Sequence, residues 1–70
     1  MQENKIEIVQ ELHRLLMNTR AGAEIIDMYY TEEDFTETVV IKYMSGAKKY
    51  INVTADSGIA LIRDVVKEIH

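Results

Sequence analysis

The sequence predicts an α+β domain in the order αβββα, a two-layer sandwich in which two helices pack on one face of a three-stranded antiparallel sheet. Three observations predict this fold. Apolar residues recur at helical spacing near both ends of the chain, three central segments alternate between apolar and polar residues, and turn-forming residues separate them. Such helices and such a sheet each have one apolar side, and the sides bury one another in two layers. Residues 1–70 are expected to form a single domain.

The first helix is predicted over residues 5–20. Five apolar residues form its core-facing stripe: Ile8, Val9, Leu12, Leu15 and Leu16. Asn4 is the expected N-cap with Glu7 as its capping-box partner, and Gly22 suits a left-handed residue after the last turn. Ile6 and Met17 extend the apolar arc past what one sheet can cover, which predicts a homodimer because small cores gain from association.

The first two strands are predicted over residues 24–31 and 36–43, joined by a turn of four residues, Glu32 to Phe35. In the first strand the predicted inner side chains are Ile26, Met28 and Tyr30, and the outer ones are Ile25, Asp27 and Tyr29. In the second strand Val39, Ile41 and Tyr43 are predicted to face inward.

A three-residue loop, Met44-Ser45-Gly46, is expected to lead into the third strand, residues 47–54, with Gly46 supplying a positive φ. This loop length places Ile51 and Val53 on the same face as Val39 and Ile41.

The second helix is predicted to start at a cap on Asp56 or Ser57 and to end at Ile69. Its predicted core stripe is Ile59, Ile62, Val65, Val66 and Ile69, with Leu61 at the edge.

Composition narrows the class of protein. Apolar residues make up 47% of the chain and charged residues 29%, which is ordinary for a folded domain. The absence of cysteine excludes disulfides and thiolate metal sites and favours the cytoplasm. The N-terminal residues lack the pattern of a signal peptide, and no apolar stretch approaches the roughly 20 residues that span a bilayer. We therefore expect a cytoplasmic protein without a membrane partner.

Charge is unevenly distributed along the predicted sheet. Residues 24–37 contain six acids and no base, whereas residues 38–55 contain three lysines and no acid. Such a patch can attract a basic partner or imitate nucleic-acid phosphates. The predicted partner-binding acids are Glu32, Glu33, Asp34 and Glu37.

The outer face of the sheet offers an alternative binding surface. Its predicted residues include Ile25, Tyr29, Val40, Lys42, Lys48, Tyr50 and Asn52. Aromatic rings stack on bases and lysines neutralise phosphates, so Tyr29, Lys42, Lys48 and Tyr50, with Lys49 nearby, favour a dimeric nucleic-acid-binding protein. Lysines at a sheet edge also protect it from aggregation, which is the structural alternative.

Catalytic and metal-binding patterns are weak. The acids do not have the spacing of a calcium loop, and Asp56-Ser57-Gly58 is not a phosphate loop. His13 lies at the margin of the first helix's apolar stripe, as a half-buried structural histidine does, and His70 is terminal. We therefore expect no enzyme activity, cofactor, metal or small-molecule substrate.

Two resemblances bear on function. The αβββα order resembles the double-stranded-RNA-binding domain over the whole chain, but the stretch matching that family's lysine cluster is 55–60, Ala-Asp-Ser-Gly-Ile-Ala, without a lysine. The resemblance therefore implies the topology, not duplex binding.

Residues 38–66, which contain Thr-Val-Val-Ile-Lys-Tyr, Ser-Gly and Lys-Lys-Tyr-Ile-Asn-Val-Thr-Ala-Asp-Ser-Gly, resemble small proteins of Gram-positive prophages and mobile elements. Some small acidic phage proteins of this element order are anti-CRISPR inhibitors. That similarity implies a non-enzymatic protein that inhibits or modulates a host nucleic-acid-handling protein.

Overall fold

The computed structural model describes residues 4–20 and 22–69, and it has the predicted αβββα fold. The elements are α1 (Lys5–Leu16), β1 (Ile25–Glu33), β2 (Thr36–Tyr43), β3 (Lys48–Asn52) and α2 (Gly58–Ile69). The strands form one antiparallel sheet in the order β1-β2-β3. Helix α1 packs mainly on β1 and α2 on β3, so both helices cover the same face.

The core lies between the helices and this inner face of the sheet. The buried cluster is Val9, Leu12, Ile25, Met28, Val39, Ile41, Ile51, Val53, Leu61 and Val65. Cross-strand pairing of Val39 with Ile51 confirms the predicted strand register. In the part of the chain that the structure describes, neither helix is long and apolar enough to cross a membrane. His70 lies outside the described residues.

Helix α1 begins as predicted but ends earlier. The side chain of Asn4 accepts a hydrogen bond from the Glu7 amide at 3.2 Å, which confirms the N-cap. The helix ends at Leu16, not at residue 20, because Thr19 closes the last turn: its amide and its hydroxyl both donate to the Leu16 carbonyl, at 2.9 and 2.7 Å.

The prediction of a left-handed Gly22 was wrong, since its φ is not in the positive range. A glycine is required there for space. A Cβ atom on Gly22 would lie 2.1 Å from the Leu16 carbonyl oxygen, so only glycine lets the chain pass this close to the end of α1 on its way into β1.

A β-bulge changes which residues of β1 face the core. Ile25 pairs with Tyr43 and Asp27 pairs with Lys42, so Ile26 is an extra residue without a partner on β2. The insertion reverses the alternation, and Ile25 is buried while Ile26 is 58% exposed. The predicted orientations of Ile25 and Ile26 were therefore wrong, whereas those of Met28 and Tyr29 were right.

The β2–β3 connection has the predicted loop. Tyr43 and Ala47 are joined by a hydrogen bond of 2.9 Å across Met44-Ser45-Gly46, and Gly46 has a φ of +91°. Strand β3 is shorter than the predicted 47–54 because Asn52 turns the chain: its side chain accepts from the Thr54 amide at 3.0 Å.

Helix α2 starts at the predicted cap but faces the core differently. The Ser57 hydroxyl accepts from the Ala60 amide at 3.2 Å. Leu61 and Val65 are fully buried, whereas Ile59 is 79% and Ile62 is 38% exposed. The predicted stripe was right for Val65, Val66 and Ile69, which lie in or against the core. It was wrong for Ile59 and Ile62, because the helix turns Leu61 towards the sheet in their place.

Candidate functional site

The β1–β2 hairpin extends past the third strand. The last pair between β2 and β3 joins Thr38 to Asn52, whereas β1 and β2 remain paired as far as Glu33 and Thr36. The projecting end carries four residues that we call the acidic tip: Glu32, Glu33, Asp34 and Phe35. It is a two-stranded arm with solvent around it, since all four residues are exposed.

The turn of the acidic tip is tighter than predicted. Glu32 and Glu33 belong to β1, and only Asp34 and Phe35 form the turn, with φ angles of +49° and +65°. Two successive positive φ angles are the pattern of a type I′ hairpin turn, which favours asparagine, aspartate or glycine. Asp34 tolerates this conformation, but a bulky residue such as Phe35 is strained in it.

Phe35 is the functional candidate that sequence reasoning missed. Its side chain is 94% exposed, the highest value among the exposed large apolar residues. Neither burial nor backbone preference accounts for a phenylalanine at this position. The signal was present in the sequence as one aromatic residue directly after three acids, at a turn where glycine is the usual choice.

The four predicted partner-binding acids separate into two groups. Three lie in the acidic tip, where Glu32 and Glu33 occupy opposite faces of the hairpin and Asp34 lies in its turn. The fourth, Glu37, pairs across the strands with Glu32, but its side chain is only 16% exposed. The structure therefore brings three acids to the exposed tip and holds the fourth at the base of the arm.

Glu37 anchors the arm to helix α1. Its carboxylate forms an ion pair of 3.0 Å with the Lys5 ammonium, and it also accepts a hydrogen bond from the Tyr30 hydroxyl. Lys5 donates in addition to the Val53 carbonyl at 3.0 Å, and the Glu37 amide donates to the Thr54 hydroxyl at 3.0 Å. These bonds link α1, β1, β2 and the segment after β3 at one point.

The pKa values at this anchor reflect its contacts. Hydrogen bonds from Tyr30 and from Lys5 stabilise the charged carboxylate and lower the pKa of Glu37 below its usual value. Burial, together with the hydrogen bond to Glu37, raises the pKa of Tyr30 to about 12. The phenol therefore stays protonated near neutral pH and keeps donating to an ionised Glu37.

The outer face of the sheet brings together the four residues of the alternative prediction. Tyr29 and Tyr50 flank Val40 in one cross-strand row, and Lys42 pairs with Lys48 in the next. The tyrosines are 36% and 68% exposed, and the Lys42 ammonium lies 5.5 Å from the centre of the Tyr29 ring. Val40 itself is buried.

This face is less basic than the sequence suggested, for two reasons. Asp27 pairs with Lys42 in the same row and offsets part of its charge. Lys49 is not available to this face, because its ammonium donates to the Glu68 carbonyl near the end of α2, at 2.8 Å. Ile25, which was predicted to be on the outer face, is buried in the core.

Two further titratable side chains, His13 and Asp56, lie outside these two surfaces. His13 is half-buried as predicted, and its Nε2 atom is buried without a hydrogen-bond partner. Asp56 lies near Asp64 on α2, and a hydrogen bond between the two carboxyl groups, together with burial, raises the pKa of Asp56. Within residues 4–20 and 22–69, no three histidine or acidic side chains are grouped so that they could hold a metal ion.

Comparison of the chain with protein-family models, curated protein sequences and solved structures finds no match. The acidic tip and the outer face of the sheet are thus the two candidate binding surfaces of this chain.

Proposed function

We propose that this protein acts by binding and not by catalysis, and that it attaches to a basic surface of a protein partner through the acidic tip. The partner class that fits is a nucleic-acid-handling protein, which carries clustered lysines and arginines for phosphate. The resemblance of residues 38–66 to phage and mobile-element proteins supports an inhibitor or modulator of such a host protein.

The observation that carries this proposal is Phe35. An aromatic side chain that is 94% exposed, on a strained turn, next to three acids and at the end of an arm that extends past the third strand, has the features of an interface anchor. Aromatic anchors in a pocket contribute much of the binding energy at interfaces, while surrounding charges steer the approach and select the partner. We infer a partner site that consists of an apolar pocket bordered by basic residues.

The proposal is tested by capture from a nuclease-treated lysate of a Gram-positive bacterium. The variant neutralises the three exposed acids together, as Glu32→Gln, Glu33→Gln and Asp34→Asn, and leaves Glu37 intact because its neutralisation would also remove the Lys5 ion pair. We expect the nucleic-acid-handling proteins captured by the unchanged protein to fall by about tenfold, since charge complementarity at an interface is lost. The measurement is quantitative mass spectrometry.

A charge-matched control separates the acidic tip from net charge. Glu24→Gln, Asp27→Asn and Glu68→Gln remove the same number of acids at exposed positions outside the tip. This control should capture its partners at the level of the unchanged protein. Equal losses in both triple variants, or no loss in the tip variant, would contradict the proposal.

A second candidate function is a dimeric nucleic-acid-binding protein that uses the outer face of the sheet. The observation that favours it is the convergence of Tyr29, Tyr50, Lys42 and Lys48 on the face opposite the two helices. Rings on a sheet can stack on unpaired bases while the lysines contact phosphates. The negative net charge of -4 and the pairing of Asp27 with Lys42 place this candidate second.

Fluorescence anisotropy with labelled single-stranded and duplex DNA and RNA tests the second candidate at low ionic strength. If the face binds single strands, Tyr50→Ala should weaken binding by about tenfold, because one stacking interaction is lost. Affinity should also fall as salt rises. The absence of binding at low ionic strength would rule out this function and leave the acidic tip as the candidate site.

A further inference from the structure

The helix layer carries an exposed apolar groove that neither binding surface uses. An open groove of about 410 Å³ lies between α1 and α2. Its apolar lining consists of Ile8, Leu12 and Leu15 from α1 and Ile62 from α2. Leu15 is 59% and Ile62 is 38% exposed, although burial of such side chains is favourable. Because the sheet packs on the opposite side of the helix layer, the sheet cannot cover the groove.

Acidic side chains border the groove on the α1 side, and an exposed apolar and a basic side chain lie on the α2 side. On the α1 side the groove is bordered by Glu7 and Glu11. On the α2 side, Ile59 is 79% exposed one turn before Ile62, and the Arg63 side chain is 73% exposed one turn after Ile59. One face of the molecule thus combines an apolar groove, an exposed apolar side chain, acids and a base, Arg63, whose exposed guanidinium also lies 3.7 Å from the Asp64 carboxylate of the same helix.

We propose that the groove is the interface with a second copy of this chain. A two-fold axis along the groove places α1 of one copy over α2 of the other. Ile59 of each copy then enters the groove of the other, and Arg63 lies beside the second copy's Glu7. An isologous interface needs a self-complementary surface, and this face has one.

Charge also argues against other occupants from the same chain. Insertion of Phe35 into the groove of a second copy would bring Glu32, Glu33 and Asp34 against Glu7 and Glu11. Like charges facing each other oppose association. The proposed dimer leaves the acidic tip and the outer face of the sheet uncovered, so it is compatible with either proposed function.

The size of the helix layer sets the expected affinity. Each helix has 12 residues and is therefore about 18 Å long, and packed helices lie about 10 Å apart. A standard interface buries about 800 Å² of each partner, which is about one sixth of the 5094 Å² of accessible surface here. The layer supplies a patch below this size, as is typical of weak association, so we expect a dissociation constant in the micromolar range or weaker.

Sedimentation equilibrium of the full chain over about 1 to 200 µM tests the dimer, which has twice the 8.1 kDa monomer mass. Ile59→Asp should raise the dissociation constant by about tenfold or more, and circular dichroism checks that the helix is retained. Glu7→Arg and Arg63→Glu should each weaken the dimer by about fivefold, as expected for an exposed charge pair. The double variant should restore it, since both contacts are remade with exchanged charges.

Two controls place the interface. Met17→Lys alters an exposed residue on the other flank of α1, roughly 180° around the helix from Ile8, and Tyr50→Ala alters the outer face of the sheet. Both should dimerise like the unchanged protein. A monomer at all concentrations, a dimer that tolerates Ile59→Asp, failure of the charge exchange to restore association, or loss of the dimer with either control would overturn the proposal.

Discussion

The two hairpin turns of the sheet place the same demand on the backbone and meet it differently. The β2–β3 loop has its positive φ at Gly46, which has no side chain to strain, and the space within 4 Å of an added Cβ atom there is open. The β1–β2 turn has positive φ angles at Asp34 and Phe35, neither of which is glycine. One turn is made of a residue suited to its shape, and the other holds a bulky side chain in solvent.

The difference shows that one turn favours stability, whereas the other exposes an aromatic side chain at a cost in stability. Gly46 removes strain from a loop that only connects two strands. Phe35 adds strain without burial, and the arm tolerates it because Glu37, Lys5 and Tyr30 fix its base. A turn that costs stability in order to expose an aromatic ring is the physical basis for treating the acidic tip as the binding surface.

Gly46→Val should have the largest effect on stability. A β-branched residue at a φ of +91° is strained by about 2 kcal/mol, and no packing contact offsets this cost. The free energy of unfolding from urea titration should fall by that amount. Met44→Val, in the same loop but at an exposed residue without a positive φ, is the matched control and should change the free energy of unfolding little. Equal effects of the two substitutions would contradict the comparison.

Phe35→Gly should act in the opposite direction. It creates an Asp-Gly pair, which suits a type I′ turn, and it removes a side chain that buries almost nothing. We expect the free energy of unfolding to rise by about 1 kcal/mol in the same urea titration, because the backbone strain that is relieved exceeds the chain entropy that glycine adds to the unfolded state. Capture of the partner by this more stable variant should fall, which distinguishes a binding role from a folding role. A loss of stability would show that the ring makes contacts that its exposure does not reveal.

Most of the fold was predictable because it depends on short-range patterns. Helical spacing identified α1 and α2, and the Gly46 loop fixed the register of β2 and β3. The bulge at Ile26 was not predictable, since an extra residue in a strand leaves the alternation of the neighbouring segments intact. The rotation of α2 was also missed, because both sides of that helix are apolar and only packing decides between Leu61 and Ile59.

The site was predictable in composition but not in arrangement. The charge run identified the acids of the tip, and alternation placed Tyr29 and Tyr50 on one face. The sequence could not distinguish Glu37 from the other acids. Its partner Lys5 lies 32 residues away on α1, and its partner Tyr30 lies on the neighbouring strand, so only the folded chain brings the three together. The turn type at Phe35 depends on backbone geometry that no residue preference indicated.

As the pH is lowered, the β1–β2 arm should lose its hydrogen-exchange protection at a higher pH than the β2–β3 hairpin. The pKa of Glu37 is lowered in the folded protein, so its contribution to stability is complete above the ordinary value of about 4.3 and is lost as pH falls through the lower folded value. Hydrogen-exchange protection, measured by NMR between pH 6 and pH 3, should therefore decrease first at residues 30–38. Residues 41–50 should keep their protection over most of this range.

Two variants isolate Glu37 in this experiment. Asp56 has the opposite sign, because its pKa is raised beside Asp64 and the folded protein gains stability as pH falls through that raised value. Asp56→Asn removes this contribution and should leave the loosening of the arm unchanged. Glu37→Gln should lower protection of residues 30–38 already at pH 6 and abolish its dependence on pH. Simultaneous loss in both hairpins would mean that the anchor stabilises the whole sheet equally, and the contrast between the two turns would then reflect local strain alone.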